Sequence, residues 1–425
     1  MEIVIWQPTG SEPLVDWLIE HTELKNLLKL GELKVNFLPK SDGDNPKNFF
    51  QMPTRIKEIL YLDSPDLIIA INSIPVLSLE ISREAGTGHN AFQRFSRIAA
   101  AVENGVAAFY IYPEAAIVSR ENGDSWDVIN PLIFKTLEEI MKVHDIPAFI
   151  YFHPTEYKGI RRPVKKTDAS TPKGMLLERD PMFPGQPDSS DPQMQELFSH
   201  VNEILRLAKS VTPSNIGQVS LKEIWAREKR QWMSTQWHVK RTNDDGRQRS
   251  ESEMSPITAT KEIDTSILIR HLSKYAGTNL DFGNLLPNRA RTVIYNPTGQ
   301  YRENGDPYTG CLVALDYLLC REGKTYEDRG KNLVIAFGTL EINEGEISIT
   351  GPAVIEDYVG PIRTLYNNSS KVLLGLPFSQ LIGQIPRYMM QVRHGTTYTK
   401  NKPSRIYAYF ADAIIFKDGS LWRQS

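Results

Sequence analysis

Pro65-Asp66-Leu67-Ile68-Ile69-Ala70-Ile71-Asn72-Ser73-Ile74-Pro75-Val76-Leu77-Ser78-Leu79-Glu80-Ile81-Ser82 is the stretch on which the fold turns. Two apolar runs, residues 66–70 and 76–82, are separated by Asn72-Ser73, residue types that favour tight turns. Strand side chains alternate between faces, so Leu77, Leu79 and Ile81 share one face and Ser78, Glu80 and Ser82 the other. A turn centred on Ser73 sets Asp66 opposite Glu80, Leu67 opposite Leu79 and Ile69 opposite Leu77. One face of this hairpin is then uniformly apolar, and the other brings two carboxylates together. Like charges so placed repel unless something neutralises them. A divalent cation with oxygen ligands meets that need.

The surrounding chain bounds the answer. Its 425 residues suffice for two or three domains. With 40% hydrophobic and 24% charged residues and a formal net charge of -2, the composition excludes a histone-like binder held by bulk charge, yet permits local basic grooves. Cys311 and Cys320 stand without a CxxC or a histidine pair. Neither a disulfide framework nor a zinc site is expected, and a reducing cytoplasm is the default location. No secretory leader and no uninterrupted apolar stretch of about 18 residues is visible, so no membrane association is expected.

In chain order, the pattern predicts a strand at residues 3–6 and a helix opening at Ser11-Glu12-Pro13, with Leu14, Trp17 and Leu18 on its apolar side. A strand over 33–38, a polar loop over 40–48 and a short helix over 54–62 lead to the hairpin. Gly86-Thr87-Gly88-His89-Asn90 then precedes a helix reaching Glu103, whose buried stripe is Phe92, Phe95, Ala99 and Val102. Gln93, Arg94 and Arg97 lie off that stripe. Continuous apolar strands follow at 106–112 and 147–152, with a helix over 131–144 between them. Strand, helix, strand, helix, strand implies parallel crossovers joined to the antiparallel hairpin, a mixed α/β domain with helix on both sides. Residues 158–192 are basic at first and then rich in proline, glycine and serine, as in a linker or long loop. The remainder reads as a second α/β region, with helices at 192–209, 219–240, 261–275 and 376–392 and strands at 291–295, 332–337, 345–349 and 405–416.

Pro65-Asp66 and Glu80-Ile81-Ser82 on a hairpin, followed by a helix and a parallel strand, resemble the PD-(D/E)XK nuclease superfamily. The resemblance spans residues 1–157 and implies a mixed-sheet, restriction-endonuclease-like core in which Asp66 and Glu80 hold Mg2+, with Mn2+ as a substitute. Such a cation polarises the scissile phosphodiester and lowers the pKa of the attacking water. The pattern's lysine is replaced by Ser82, whose hydroxyl orients water but supplies no charge. Candidates for the missing charge are Arg94, with Gln93 nearby, and the adjacent Arg83; an acid of the first helix, Glu12 or Glu20, is a candidate third metal ligand. An arginine stays protonated and would stabilise phosphate charge rather than act as a base.

The chain's size and its large non-catalytic half are most similar to type II restriction endonucleases. That likeness implies a cytoplasmic enzyme cutting double-stranded DNA, as a homodimer if both strands of a palindrome are cut. The region 193–425 would then serve DNA recognition or dimerisation, with Arg227, Lys229, Arg230, Lys240 and Arg241 beside Trp225, Trp232 and Trp237 as candidate DNA contacts. Arg161 and Arg162 of the basic linker are further candidates. Solvated charge explains both clusters equally well. The alternatives are a repair-type or non-specific nuclease, a DNA-binding protein with a degenerate site, and an unrelated α/β enzyme. Zinc chemistry and a serine-hydrolase elbow have no candidate residues.

Overall fold

The computed structural model describes residues 2–38, 52–60, 64–82, 97–113, 116–120, 123–127, 140–141, 144, 146–153, 164–165, 180–210, 258–273, 289–297, 330–336, 339–350, 413–415 and 421–423. The chain divides into two compact units, the first comprising Met1–Lys40 and Met52–Glu251, the second Ser41–Gln51 and Ser252–Ser425. Among the described residues no helix is long and apolar enough to cross a membrane.

The first unit is mixed α/β. Its elements are β1 (Ile3–Gln7), α1 (Glu12–His21), α2 (Leu24–Lys29), β2 (Leu33–Phe37), α3 (Thr54–Ile59), β3 (Leu67–Ile71), β4 (Ile74–Ile81), β5 (Ala107–Pro113), β6 (Ala116–Arg120), β7 (Gly123–Asp127), β8 (Ala148–His153), β9 (Val164–Lys165) and α4 (Pro192–Ser210). Residues 97–103 are helical as well. Six strands form one mixed sheet in the order β2-β1-β3-β4-β5-β8. The pairs β1–β2, β4–β5 and β5–β8 are parallel, whereas β3 runs antiparallel to both β1 and β4. The parallel pairing expected after the hairpin therefore holds for β4, β5 and β8; of the helix expected over 131–144, only residues 140, 141 and 144 are described, and they are helical. Sequence spacing did not reveal the hairpin β6–β7, which with β9 makes a separate three-stranded sheet.

All five residues of β3 are fully buried; on β4 Leu77, Leu79 and Ile81 of one face and Ser78 and Glu80 of the other are buried, as is Ser82 just beyond the strand. A strand covered on both faces reads as a continuous apolar run, which is why β3 shows no polar alternation. The two covers differ. On one side α4 packs against β8 and β4, where the Tyr151 hydroxyl and His200 Nδ1 are 2.7 Å apart within a cluster that includes Phe109 and Phe149. Trp17 of α1 packs on Phe198 of α4. On the other side lies helix 97–103. Asn104 at its end donates from Nδ2 to the Glu58 carbonyl of α3, 3.2 Å away. Helix α4 follows the proline-rich stretch in sequence but packs on the first sheet, so the first unit extends beyond residue 192.

The second unit contains β10 (Thr258–Asp264), α5 (Thr265–Ser273), β11 (Arg291–Pro297), β12 (Lys331–Ala336), β13 (Thr339–Asn343), β14 (Glu346–Thr350), β15 (Ala413–Ile415) and β16 (Leu421–Arg423). Its main sheet has the order β10-β11-β12-β15-β16, over a core of Ile263, Leu268, Ile294, Val334 and Ala336. Helical spacing predicts helix from residue 261, yet Lys261–Asp264 belong to β10. Pairing of all seven β10 residues with β11 overrides the local propensity, and the helix begins only at Thr265.

Candidate active site

The hairpin sets the geometry of the site. Asn72 and Ser73 both have positive φ, 47° and 68°, the conformation of a type I′ connection that matches the twist of paired strands. Asn72 also anchors β1: its amide donates to the Glu2 carbonyl at 2.9 Å, and its Oδ1 accepts from the Glu2 amide at 3.0 Å. A two-residue turn alone would pair residues whose numbers sum to 145, as Ile71 with Ile74 and Ala70 with Pro75 do. Beyond a bulge the register becomes Ile69 with Leu77 and Leu67 with Leu79. Val76 is the extra residue, beside Pro75, which has no amide hydrogen for the ladder. That single insertion restores the register expected from a turn centred on Ser73, and it sets Leu67 and Leu79 side by side.

Asp66 lies one residue before β3 and is half-buried. Its Oδ2 accepts a 2.8 Å hydrogen bond from the Ile81 amide. The carboxylate therefore extends the β3–β4 ladder beyond the end of β3, at the peptide that joins Glu80 to Ile81. No other partner of Asp66 is present among the described residues, so Oδ1 stays available there. Glu80 itself is 1% exposed, which places a carboxylate inside the fold. Arg97, on the covering helix, donates from Nη1 to both Glu80 oxygens at 2.8 Å. Beside Glu80 on β5 is Tyr110, its partner in the parallel register, and Tyr110 and Tyr112 share that face with ring centroids 5.3 Å apart. Ser82 is 1% exposed, and its amide donates to the Ile111 carbonyl at 2.9 Å, which holds the chain against β5 just beyond β4.

Arg97 is the cation that meets Glu80. Arg94, Gln93 and Arg83 lie outside the described residues, as does the Gly86–Asn90 loop. In the sequence Arg94 and Arg97 are three apart, a spacing that helical periodicity expects on one side. Which of them stands level with Glu80 depends on where the helix docks, which spacing does not encode. The first-helix acids are engaged locally. Glu12 Oε2 accepts from the Gly10 amide at 2.6 Å. Glu20 pairs with Lys25, and that hydrogen bond holds its carboxyl below the usual range.

Among the described residues no group of three or more His, Cys, Asp or Glu side chains is arranged to hold a metal ion. Asp66 and Glu80 are two carboxylates at one peptide, and Mg2+ commonly takes one or two carboxylates with water and substrate oxygens completing its shell. Two carboxylates are the donor type that a hard divalent cation takes, and Glu80 is engaged by Arg97. The candidate DNA contacts Arg161, Arg162, Arg227, Lys229, Arg230, Lys240 and Arg241 lie outside the described residues.

A second buried carboxylate sits on the side of α4. Asp180 is 2% exposed, and its Oδ2 lies 3.0 Å from His21 Nε2. Its Oδ1 accepts from the Met182 and Phe183 amides at 2.9 and 3.1 Å. Burial alone would raise its carboxyl, but the Ser189 hydroxyl, these amides and His21 outweigh burial and hold it below the ordinary range. His21 stacks on Phe198, so the pair docks the loop at 180–190 onto α1 and α4. Comparison with protein-family models, curated proteins and solved structures finds no match to this chain.

Proposed function

We propose that the chain is a Mg2+-dependent endonuclease of the PD-(D/E)XK type acting on double-stranded DNA, most similar to sequence-specific type II restriction enzymes. The observation that supports the reading is the Asp66 carboxylate on the amide of Ile81, the residue after Glu80, where an antiparallel hairpin passes into a parallel strand. A fully buried glutamate supports it. Buried ion pairs contribute little net stability compared with well-packed apolar residues, so Glu80 and Arg97 call for a use beyond folding.

Asp66 and Glu80 would hold the cation, which supplies Lewis-acid activation of the phosphodiester and of water. Asp66 keeps its Oδ2 on the Ile81 amide and offers Oδ1; Ser82, next along the chain, orients water. Arg97 supplies the positive charge that Ser82 lacks. In this reading the basic residues Arg227, Lys229, Arg230, Lys240 and Arg241 meet the duplex, the active species is a homodimer working in the cytoplasm, and Mn2+ replaces Mg2+.

The Glu80–Arg97 pair also favours a second reading, a DNA-binding protein whose acid is permanently neutralised by arginine. Incubation of the full chain with unmethylated plasmid and Mg2+ separates the two. Discrete fragments support the endonuclease; salt-sensitive binding without cleavage under any divalent metal supports the binder.

A further inference from the structure

We propose that Arg97 guards the acid site: its guanidinium and a divalent cation compete for Glu80, so the arginine sets the metal concentration at which the site fills. The inference rests on reading Asp66 and Glu80 as cation ligands. It stands on a contrast between the two acids. Asp66 is half-buried and holds its backbone contact through one oxygen only, so it can take a cation without losing any bond. Glu80 is different, because one Arg97 nitrogen bridges both of its oxygens at 2.8 Å. A cation meets Glu80 only when that bridge opens. The Arg97 side chain is 10% exposed and that of Glu80 2%, so the arginine is the more exposed member of the pair. The more exposed member of a buried pair is the one that an incoming ion displaces. Ligand affinity falls in proportion to the fraction of molecules whose site is open, so pairing weakens apparent metal binding without any change in the ligands.

The test is Mn2+ binding by the full chain, read as free Mn2+ by electron paramagnetic resonance. Arg97→Gln should tighten Mn2+ binding on the order of tenfold. Arg97→Lys, which keeps the charge but not the same reach, should tighten it less, and Glu80→Gln should weaken it in either background. Mn2+ should also raise the melting temperature of Arg97→Gln more than that of the wild-type chain, since the ion replaces the lost partner of Glu80. If Arg97→Gln folds only when Mn2+ is added, as read by circular dichroism, that too supports the guard. Equal affinity in the wild-type chain and both variants, or weaker binding in Arg97→Gln, overturns it. So does an Arg97→Gln chain that stays unfolded with Mn2+ while Arg97→Lys binds as the wild type does. The outcomes separate this inference from the nuclease reading. A wild-type chain that leaves DNA intact at saturating Mn2+, while Arg97 variants bind the ion more tightly, would refute the nuclease and keep the guard; a wild-type chain that cuts DNA, with Mn2+ affinity unmoved by Arg97 variants, would do the reverse.

Discussion

Breaking the Glu80–Arg97 pair from either side should have unequal costs, and the inequality follows from burial. Arg97→Gln takes the guanidinium from a carboxylate whose side chain is 2% exposed, and losing one partner of a buried ion pair costs about 3–5 kcal/mol. For a domain of 150–250 residues each kcal/mol lowers the melting temperature by about 2–4 °C, so a fall of roughly 6–20 °C is expected. Glu80→Gln puts a neutral amide oxygen in place of the carboxylate beside the more exposed guanidinium, a loss of about 1–3 kcal/mol. The double variant carries two amides and no buried charge, so it should be more stable than Arg97→Gln alone. The coupling energy must then exceed the Glu80→Gln cost, which puts it in the upper part of about 1–3 kcal/mol. Urea and thermal unfolding in metal-free buffer, followed by circular dichroism, read all four chains. A coupling below about 0.5 kcal/mol, or a double variant no more stable than Arg97→Gln, would refute the pairing.

Three further outcomes follow from the same geometry. Asp66→Asn keeps an oxygen for the Ile81 amide, so it should fold within about 1 kcal/mol of the wild type while cleavage falls about 100-fold or more, read by melting and by gel. Ser73→Gly relieves a positive φ of 68° and should stabilise the hairpin by about 0.5–1 kcal/mol in urea unfolding; destabilisation would show that the turn is not type I′. Asp180 has a folded-state pKa below its unfolded value of about 3.9, so its stabilising effect is complete above that pH and lost as pH falls through the folded value. Asp180→Asn should therefore lower the melting temperature at neutral pH and flatten its decline below about pH 4; an unchanged acid slope would contradict the assignment.

The hairpin was legible because alternation and turn chemistry are local. Leu67 does pair with Leu79, and Ile69 with Leu77, although by another route than a turn centred on Ser73: a two-residue turn followed by a bulge at Val76. The following strands were legible from their continuous apolar runs, which need only two covered faces. Arg97 was not legible as the partner of Glu80. Helical spacing puts it off the buried stripe together with Gln93 and Arg94, and a one-dimensional pattern does not say which residue meets Glu80. Tyr110 escaped notice because its place beside Glu80 arises from parallel pairing of strands about 30 residues apart, a register that no local pattern records. His21 and Asp180 are 159 residues apart in sequence and meet only through packing on α4. In the second unit, helical spacing extends the helix back to Lys261 because Lys261–Asp264 run straight into the helical residues from Thr265, and pairing with β11 makes those four residues strand.

The central claim is that Asp66 and Glu80 form a cation-dependent cleavage site. Unmethylated phage DNA incubated with Mg2+ and the wild-type chain, alongside Asp66→Asn and Glu80→Gln, tests it most directly. The account predicts discrete fragments from the wild type, none from either variant, and none from any chain when the metal is chelated. Intact DNA in every lane across the metal titration, or equal cutting by Asp66→Asn, would contradict it.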